Sequence, residues 1–497
     1  MFKAILISSL LVNFLLVLGR FTGFIREVFI ANIFGVTSES DIVALLVTLP
    51  DFLVSVLAGG ALSAALIPAF TKLSDKDSER LVVQASLFLF IFFSIFAFLL
   101  YLVSENFIYL LAPGFSEEKI SHAAGFFEWV LISLPISVLS GVFVAFLHSK
   151  NRFLIASFST PVFNLILLLG LTSLWLLNST SLNIVVLSLV LASLSRLVMQ
   201  ASAIKLSSFS FCFDRCLITS TLIKRYLQAF MSGSIFLLFP VVARAFASLG
   251  GDGSIAIFTY SMKLIELPLI ISATFISIVL FPRLAASYNE DLNLHKKLIK
   301  YGIQFMLALS VIVTFILVFL IEEYVSFVYG GGVDDQSLGI ISQITKIGLF
   351  SIPFQCLNIF YTTLNNSRGD TKNPMYVNLF GLAIIFFTLQ YGIRNVTAEN
   401  VMWVVSGTYV LCFFFHLLLF SRNEFKLITV FSNKAFTLLF LLLPFVFIYL
   451  APLIFYHGSG FLAAFLFAAF FAVMWSGFLI IAHSDIRKFI FRKLKRV

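Results

Sequence analysis

Three cations, Arg20, Arg26 and Lys263, interrupt apolar stretches long enough to cross a membrane. A charge at mid-span costs about 2.5–3.5 kcal/mol on insertion scales, so each marks a functional position by default. A helix rises ~1.5 Å per residue, which puts Arg26 ~13 Å from the outer end marked by Gly35 and Lys263 ~15 Å from Gly253; Arg20 falls ~22 Å from that end, in the inner half. Together they can form a cationic track along a cavity wall that accepts an anion and releases it. Acids temper the field: Glu27 beside Arg26, Asp51 in the second span, and Glu266 three residues after Lys263 on the same helix face. The competing reading is that these charges neutralise one another and hold two lobes together. Gly19 and Gly23 beside the arginines, and Pro50 and Pro268 beside the acids, would let the helices bend, although glycines in spans also serve packing. Three further in-span cations are Arg196, which can snorkel to the cytoplasmic end, Arg244, which can reach the outer surface, and Lys346, with no acid nearby in sequence.

The elements that must carry these residues follow from composition. Of 497 residues, 60% are hydrophobic and 11% charged, with a mean hydropathy of +1.05. A soluble fold is excluded, since its outer faces would need about 25% charged residues. Apolar stretches run at 4–34, 42–70, 81–111, 122–148, 153–177, 181–204, 219–249, 254–282, 301–329, 337–365, 375–393, 399–420, 436–455 and 460–482. The expected fold is an all-α polytopic membrane protein of about fourteen transmembrane helices.

Charge placement is an independent check. With the N-terminus cytoplasmic, all but eight of the 33 Lys and Arg residues fall in cytoplasmic loops and ends, six lie within spans, and only Lys119 and Arg394 stand on the opposite side. Both termini are then cytoplasmic, and the net charge of +9 reports topology rather than a nucleic-acid partner. The first segment reads as a retained helix, because Arg20 and Arg26 interrupt it with no small-residue cleavage site ahead of them. Cys212, Cys216, Cys356 and Cys412 form no disulfide framework and no zinc site.

Landmarks recur at nearly constant offset: Gly35 and Gly250, Pro68 and Pro282, Gly114 and Gly330, Arg152 and Arg368. This predicts two six-helix lobes, 1–205 and 219–420, in parallel pseudo-twofold repeat about the membrane normal, with a cavity between them. Residues 436–482 add two helices and 483–497 a basic cytoplasmic tail. No nucleotide-binding G-x-x-x-x-G-K-[ST] loop occurs, the six histidines show no i, i+4 pair, and no two-residue alternation suggests a barrel. The expectation is a secondary transporter or flippase, not an enzyme, with no metal or cofactor and with the membrane potential or an ion gradient as its drive.

The ordered set GRFTGFIREVFIANIFGVTSESD (19–41), LPDFLVSVLAGGALSAALIPAF (49–70), LAPGF (111–115), NRFLIASFSTPVFN (151–164), YSMKLIELP (260–268) and SRGDTKNP (367–374) resembles the MurJ (MviN) lipid II flippases of the multidrug/oligosaccharidyl-lipid/polysaccharide exporter superfamily. The resemblance covers nearly the whole chain. It implies movement of undecaprenyl-pyrophosphate-linked peptidoglycan precursor from the cytoplasmic to the periplasmic leaflet of the bacterial inner membrane by alternating access. It also implies a polyprenyl-tail groove at 436–482, cavity cations at Arg20, Arg26 and Lys263, and charge pairs or gates at Glu27, Asp41 and Glu266. Membrane lipids and cell-wall synthesis proteins are the other expected partners, with no nucleic acid. The family's L-P-N-x-x-R-R-x-x-x-E-G-A reads LPDFLVSVLAGGA here, with Val54, Ser55 and Gly59 in place of two arginines and a glutamate, and Lys263 replaces an arginine with a point charge. These departures keep open another polyprenyl-linked glycan as cargo, or a non-transporting scaffold for cell-wall synthesis.

Overall fold

The computed structural model describes residues 2–54, 60–204, 215–233, 235–275 and 280–421, apart from some side chains within those helices. Val54's side chain, Ser55, Gly59, Cys212 and the proposed elements 436–482 and 483–497 lie outside the described residues.

Among the described residues every regular element is a helix. In chain order these are α1 Phe2–Phe34, α2 Ser38–Val54, α3 Gly60–Lys72, α4 Asp75–Leu102, α5 Ser104–Leu111, α6 Glu117–Val130, α7 Ser133–Ser149, α8 Phe153–Leu176, α9 Leu182–Ile204 and α10 Ser220–Gly233. They continue with α11 Leu238–Ala247, α12 Ser254–Phe275, α13 Phe281–Glu290, α14 Leu292–Phe319, α15 Ile321–Tyr329, α16 Asp335–Leu349, α17 Ile352–Ser367, α18 Lys372–Phe387 and α19 Ala398–Ser421. Among the described residues six spans are long and apolar enough to cross a membrane, or eight if the pairs α6/α7 and α16/α17, bent by 42° and 45°, each count as one. α4 shows why burial is not the organising force: Phe88, Ile91, Phe92, Ile95, Phe98 and Leu99 are all exposed, which is tolerable only in lipid.

Short polar signals fix the helix ends. Gly35 adopts the left-handed φ of 60° and its N–H bonds Ala31 O at 2.9 Å, stopping α1. Thr37 and Ser40 cap the start of α2 reciprocally, Thr37 N donating to Ser40 Oγ at 2.8 Å and Ser40 N to Thr37 Oγ1 at 3.2 Å. Ser116 caps α6 by accepting from Lys119 N at 3.3 Å. Two of the side chains discussed below, Asp41 and Lys119, thus sit on first turns whose position is set by hydroxyl caps.

The chain divides into two compact units. The first comprises Met1–Lys263, Tyr329–Ile344 and Met375–Thr408; the second comprises Leu264–Val328, Thr345–Pro374 and Tyr409–Val497. In the first, α1 packs along α8, α8 along α9, and α7 lies among α3, α4 and α9. Its loops are tied by contacts of Lys150 with Asp75, Arg152 with Ala203 O, Gln84 with Arg215 O and Leu217 N, and Gly114 with Ser248. In the second, α13, α14 and α17 meet at buried His295. Arg368 donates to its Nε2 at 3.1 and 3.3 Å, so Nε2 accepts and the proton sits on Nδ1, 3.0 Å from Ser287 Oγ.

Candidate functional site

Arg26 is buried on α1 and held from two sides. Its Nη2 donates to Glu27 Oε1 at 2.8 Å, and its Nη1 to Asn164 Oδ1 on α8 at 3.2 Å. Asn164 is itself oriented, because its Nδ2 donates to Gly19 O at 2.8 Å and to Thr22 Oγ1 at 3.3 Å. Gly23 leaves the space this requires: a Cβ there would stand 3.3 Å from Asn164 Nδ2. Gly19 likewise faces Thr160 and Pro161, so both glycines serve close packing of α1 on α8, and α1 runs unbroken past them. Glu27 is fully buried, and its Oε2 has no hydrogen-bond partner among the described residues. The arginine is therefore paired through one oxygen of the Glu27 carboxylate and oriented by Asn164.

Asp41 belongs to a second cluster. Its Oδ2 accepts from Lys119 Nζ at 2.9 Å and from Gly253 N at 2.8 Å, and its Oδ1 accepts from Ala256 N at 2.8 Å. It thereby caps the N-terminus of α12, where the helix dipole also favours an anion. Lys119 Nζ reaches Asp252 Oδ1 at 2.7 Å and stands 4.1 Å from the centroid of the Phe115 ring. Burial pushes the Asp41 carboxyl up from the ordinary carboxylate range, while Lys119 and the two backbone donors pull it back. Around this cluster Tyr260 Oη donates to Gly35 O at 3.0 Å, and Tyr329 Oη donates to Tyr260 O at 3.2 Å. The starts of α2, α6 and α12 and the ends of α1 and α15 are gathered in one place.

The remaining expected residues are less tightly built in. Arg20 is exposed on α1, about 9 Å along the helix from Arg26. Lys263 and Glu266 are half-buried, three residues apart on α12, the helix that Asp41 caps. Asp51 lies on α2, and its side chain is outside the described residues. Arg196 lies over the Phe163 ring at 5.0 Å, Lys346 is exposed, and Arg244 Nη1 donates to Thr48 Oγ1 at 2.5 Å. Two members were missed from sequence. Asn164 closes the quoted NRFLIASFSTPVFN segment, and Lys119 counted only as a stray on the outer side. The signal for Lys119 was the unfavourable place it occupies: a cation in the first turn of a helix needs nearby acids.

The model of the family described as lipid II flippase MurJ matches residues 30–471. The chain belongs to the MurJ family. A probable lipid II flippase MurJ from Buchnera aphidicola is 26% identical over 393 residues, covering 75% of each chain. Among solved structures, a lipid II flippase MurJ in an inward closed conformation aligns with a TM-score of 0.79 at 21% identity over 96% of this chain and 99% of that one. An inward-facing multidrug resistance MATE transporter of the MOP superfamily aligns with a TM-score of 0.63 at 11% identity over 81% and 95%. This chain therefore has the fold of MurJ, and shares it more distantly with MATE transporters.

In this MurJ-family chain Asn164 orients the arginine. Replacing it with Leu keeps the volume but removes its bonds to Arg26 Nη1 and Gly19 O, of which Gly19 O still accepts from Thr22 Oγ1. The expected result is a loss of about 1–3 kcal/mol for the buried bond to the arginine, read as a lower melting temperature in detergent, together with slower transport.

Proposed function

We propose that the protein moves lipid II, the undecaprenyl-pyrophosphate-linked peptidoglycan precursor, from the cytoplasmic to the periplasmic leaflet by alternating access. The observation that carries this reading, beyond membership of the MurJ family, is the buried Arg26 paired with the buried Glu27 inside α1. A guanidinium kept charged at membrane depth by a neighbouring acid can exchange part of that pairing for a pyrophosphate and recover it after release. Arg20 and Lys263 extend the cationic path on either side, and Glu27, Asp41, Asp51 and Glu266 hold the charges in pairs between cargo molecules.

The finer architecture belongs to the same reading: fourteen spans, two six-helix lobes at 1–205 and 219–420 in parallel repeat, a tail groove at 436–482, and both termini in the cytoplasm. The approach of Gly35 to Gly332, two residues past the landmark Gly330, and of Gly114 to Ser248, two residues before the landmark Gly250, supports it. No cofactor is required. An inside-negative potential favours outward movement of an anionic headgroup by about 2.3 kcal/mol per charge per 100 mV.

The cargo is tested by trapping with defined lipid-linked sugars on the purified protein. Retention of lipid II, with weaker retention of an undecaprenyl-linked glycan of other composition, is expected. The reverse order would assign a different cargo to the same fold, and retention of neither would favour a scaffold.

A further inference from the structure

We infer that Lys119 is a positioning residue that holds the outer end of the first unit closed by supplying the counter-charge for Asp41. This rests on the alternating-access reading but not on the identity of the cargo.

Asp41 is 0% exposed, and three separate donors converge on it: the ammonium of Lys119 on α6 and the N–H groups of Gly253 and Ala256 at the start of α12. The contact therefore joins three chain segments far apart in sequence. Separation of α12 from α2 must break both backbone bonds to Asp41 at once, and Lys119 supplies the counter-charge that keeps the carboxylate buried while they hold. Lys119 is equally committed. Its side chain is 7% exposed, it lies in the first turn of α6 where the helix dipole repels a cation, and Phe115 covers one side of it. Its two acids differ in kind: Asp41 is sealed, whereas the side chain of Asp252 is 71% exposed and can be solvated without it. Removing one member of a buried ion pair leaves an uncompensated charge, while removing both can be almost neutral. Lys119 is thus predicted to matter because of Asp41, and only weakly because of Asp252.

The test uses the full chain in intact cells with a single added reporter, Val36→Cys, whose native side chain packs against Gly253. A membrane-impermeant maleimide is applied outside, and labelling is counted per molecule present in the membrane. Lys119→Met is expected to raise the labelling rate at least tenfold. Lys119→Arg and Asp252→Asn are expected to stay within threefold of the parent. Adding Asp41→Asn to Lys119→Met is expected to lower the rate at least threefold from that of Lys119→Met, because no buried carboxylate is then left unpaired, although the amide keeps only one of the two backbone bonds. In Lys119→Met alone the rate, taken relative to the exposed reporter Glu118→Cys, falls as the outer medium is acidified, since a proton on Asp41 replaces the missing lysine. Tyr260, Glu27 and Asp252 are the other titratable groups facing this cluster.

Labelling of Lys119→Met at the parental rate overturns the inference, as does a double variant that labels as fast as Lys119→Met. If Lys119→Met does not accumulate, the inference requires that Asp41→Asn restore accumulation, and failure to do so overturns it. None of these readings needs translocation, so they stand apart from the test of cargo.

Discussion

Replacing Arg26 with Ala is expected to abolish the rescue of a cell depleted of its own lipid II flippase. The charge-assisted bonds to Glu27 at 2.8 Å and to Asn164 at 3.2 Å are lost, and with them the group that would receive the pyrophosphate. Each such bond is worth about 1.5–3 kcal/mol, so translocation falls by roughly tenfold or more for each one that the cargo would have taken over. The same substitution strands Glu27, which is fully buried, and an unpaired buried carboxylate destabilises by about 3–5 kcal/mol. The two effects separate in Arg26→Ala combined with Glu27→Gln. This double variant no longer carries a stranded charge, so membrane abundance and melting temperature recover while translocation stays lost. Arg26→Lys should fall between, since an ammonium keeps the charge without the bidentate fork. Abundance on immunoblots beside growth rescue distinguishes these outcomes.

The second large effect is steric. A Cβ added at Gly332 would lie 2.2 Å from Asn32 O and 2.4 Å from Asn32 Cα, distances that real Cβ atoms do not show. Both obstacles are backbone, so no side-chain rotation relieves them, and the turn after α15 must separate from the end of α1. Gly114 is alike, with a Cβ at 2.1 Å from Ser248 O. Gly332→Ala is therefore expected to prop the outer end apart, to raise labelling of Val36→Cys from outside, and to abolish rescue with the protein still in the membrane. Gly125→Ala is the internal control. Nothing lies within 4 Å of that Cβ, and it sits inside α6, so the change is expected to be neutral or to stabilise by up to about 1 kcal/mol. Equal loss at Gly332 and Gly125 would show that the clash is not what matters.

How much of this was legible beforehand differs by residue. Arg26 and Glu27 could be read directly, because a charge in an apolar stretch is costly wherever it points. The helical class followed from composition for the same reason. Lys119 could not be read this way: it lies in a polar stretch at the start of α6, where a lysine costs nothing on hydropathy, and only the fold brings Asp41 and Asp252 to it across 78 and 133 residues. Asn164 was hidden because a neutral amide leaves no mark on hydropathy, although its role is to orient a charge. The glycines at 19 and 23 suggested bending and proved to be contact points for α8, since the missing Cβ serves approach as readily as flexibility. Span limits read as single stretches resolve into pairs such as α6/α7 and α16/α17, because hydropathy averages across a bend that keeps the chain apolar.

The central claim is that this chain passes a lipid-linked pyrophosphate outward over Arg26. Its most direct test is the fraction of lipid II that an externally added, membrane-impermeant lipid II-cleaving enzyme can reach in cells depleted of their own flippase. This fraction is expected to be restored by the protein and not by Arg26→Ala/Glu27→Gln at equal membrane abundance. Restoration by both, or by neither while the parent protein is present in the membrane, would contradict it.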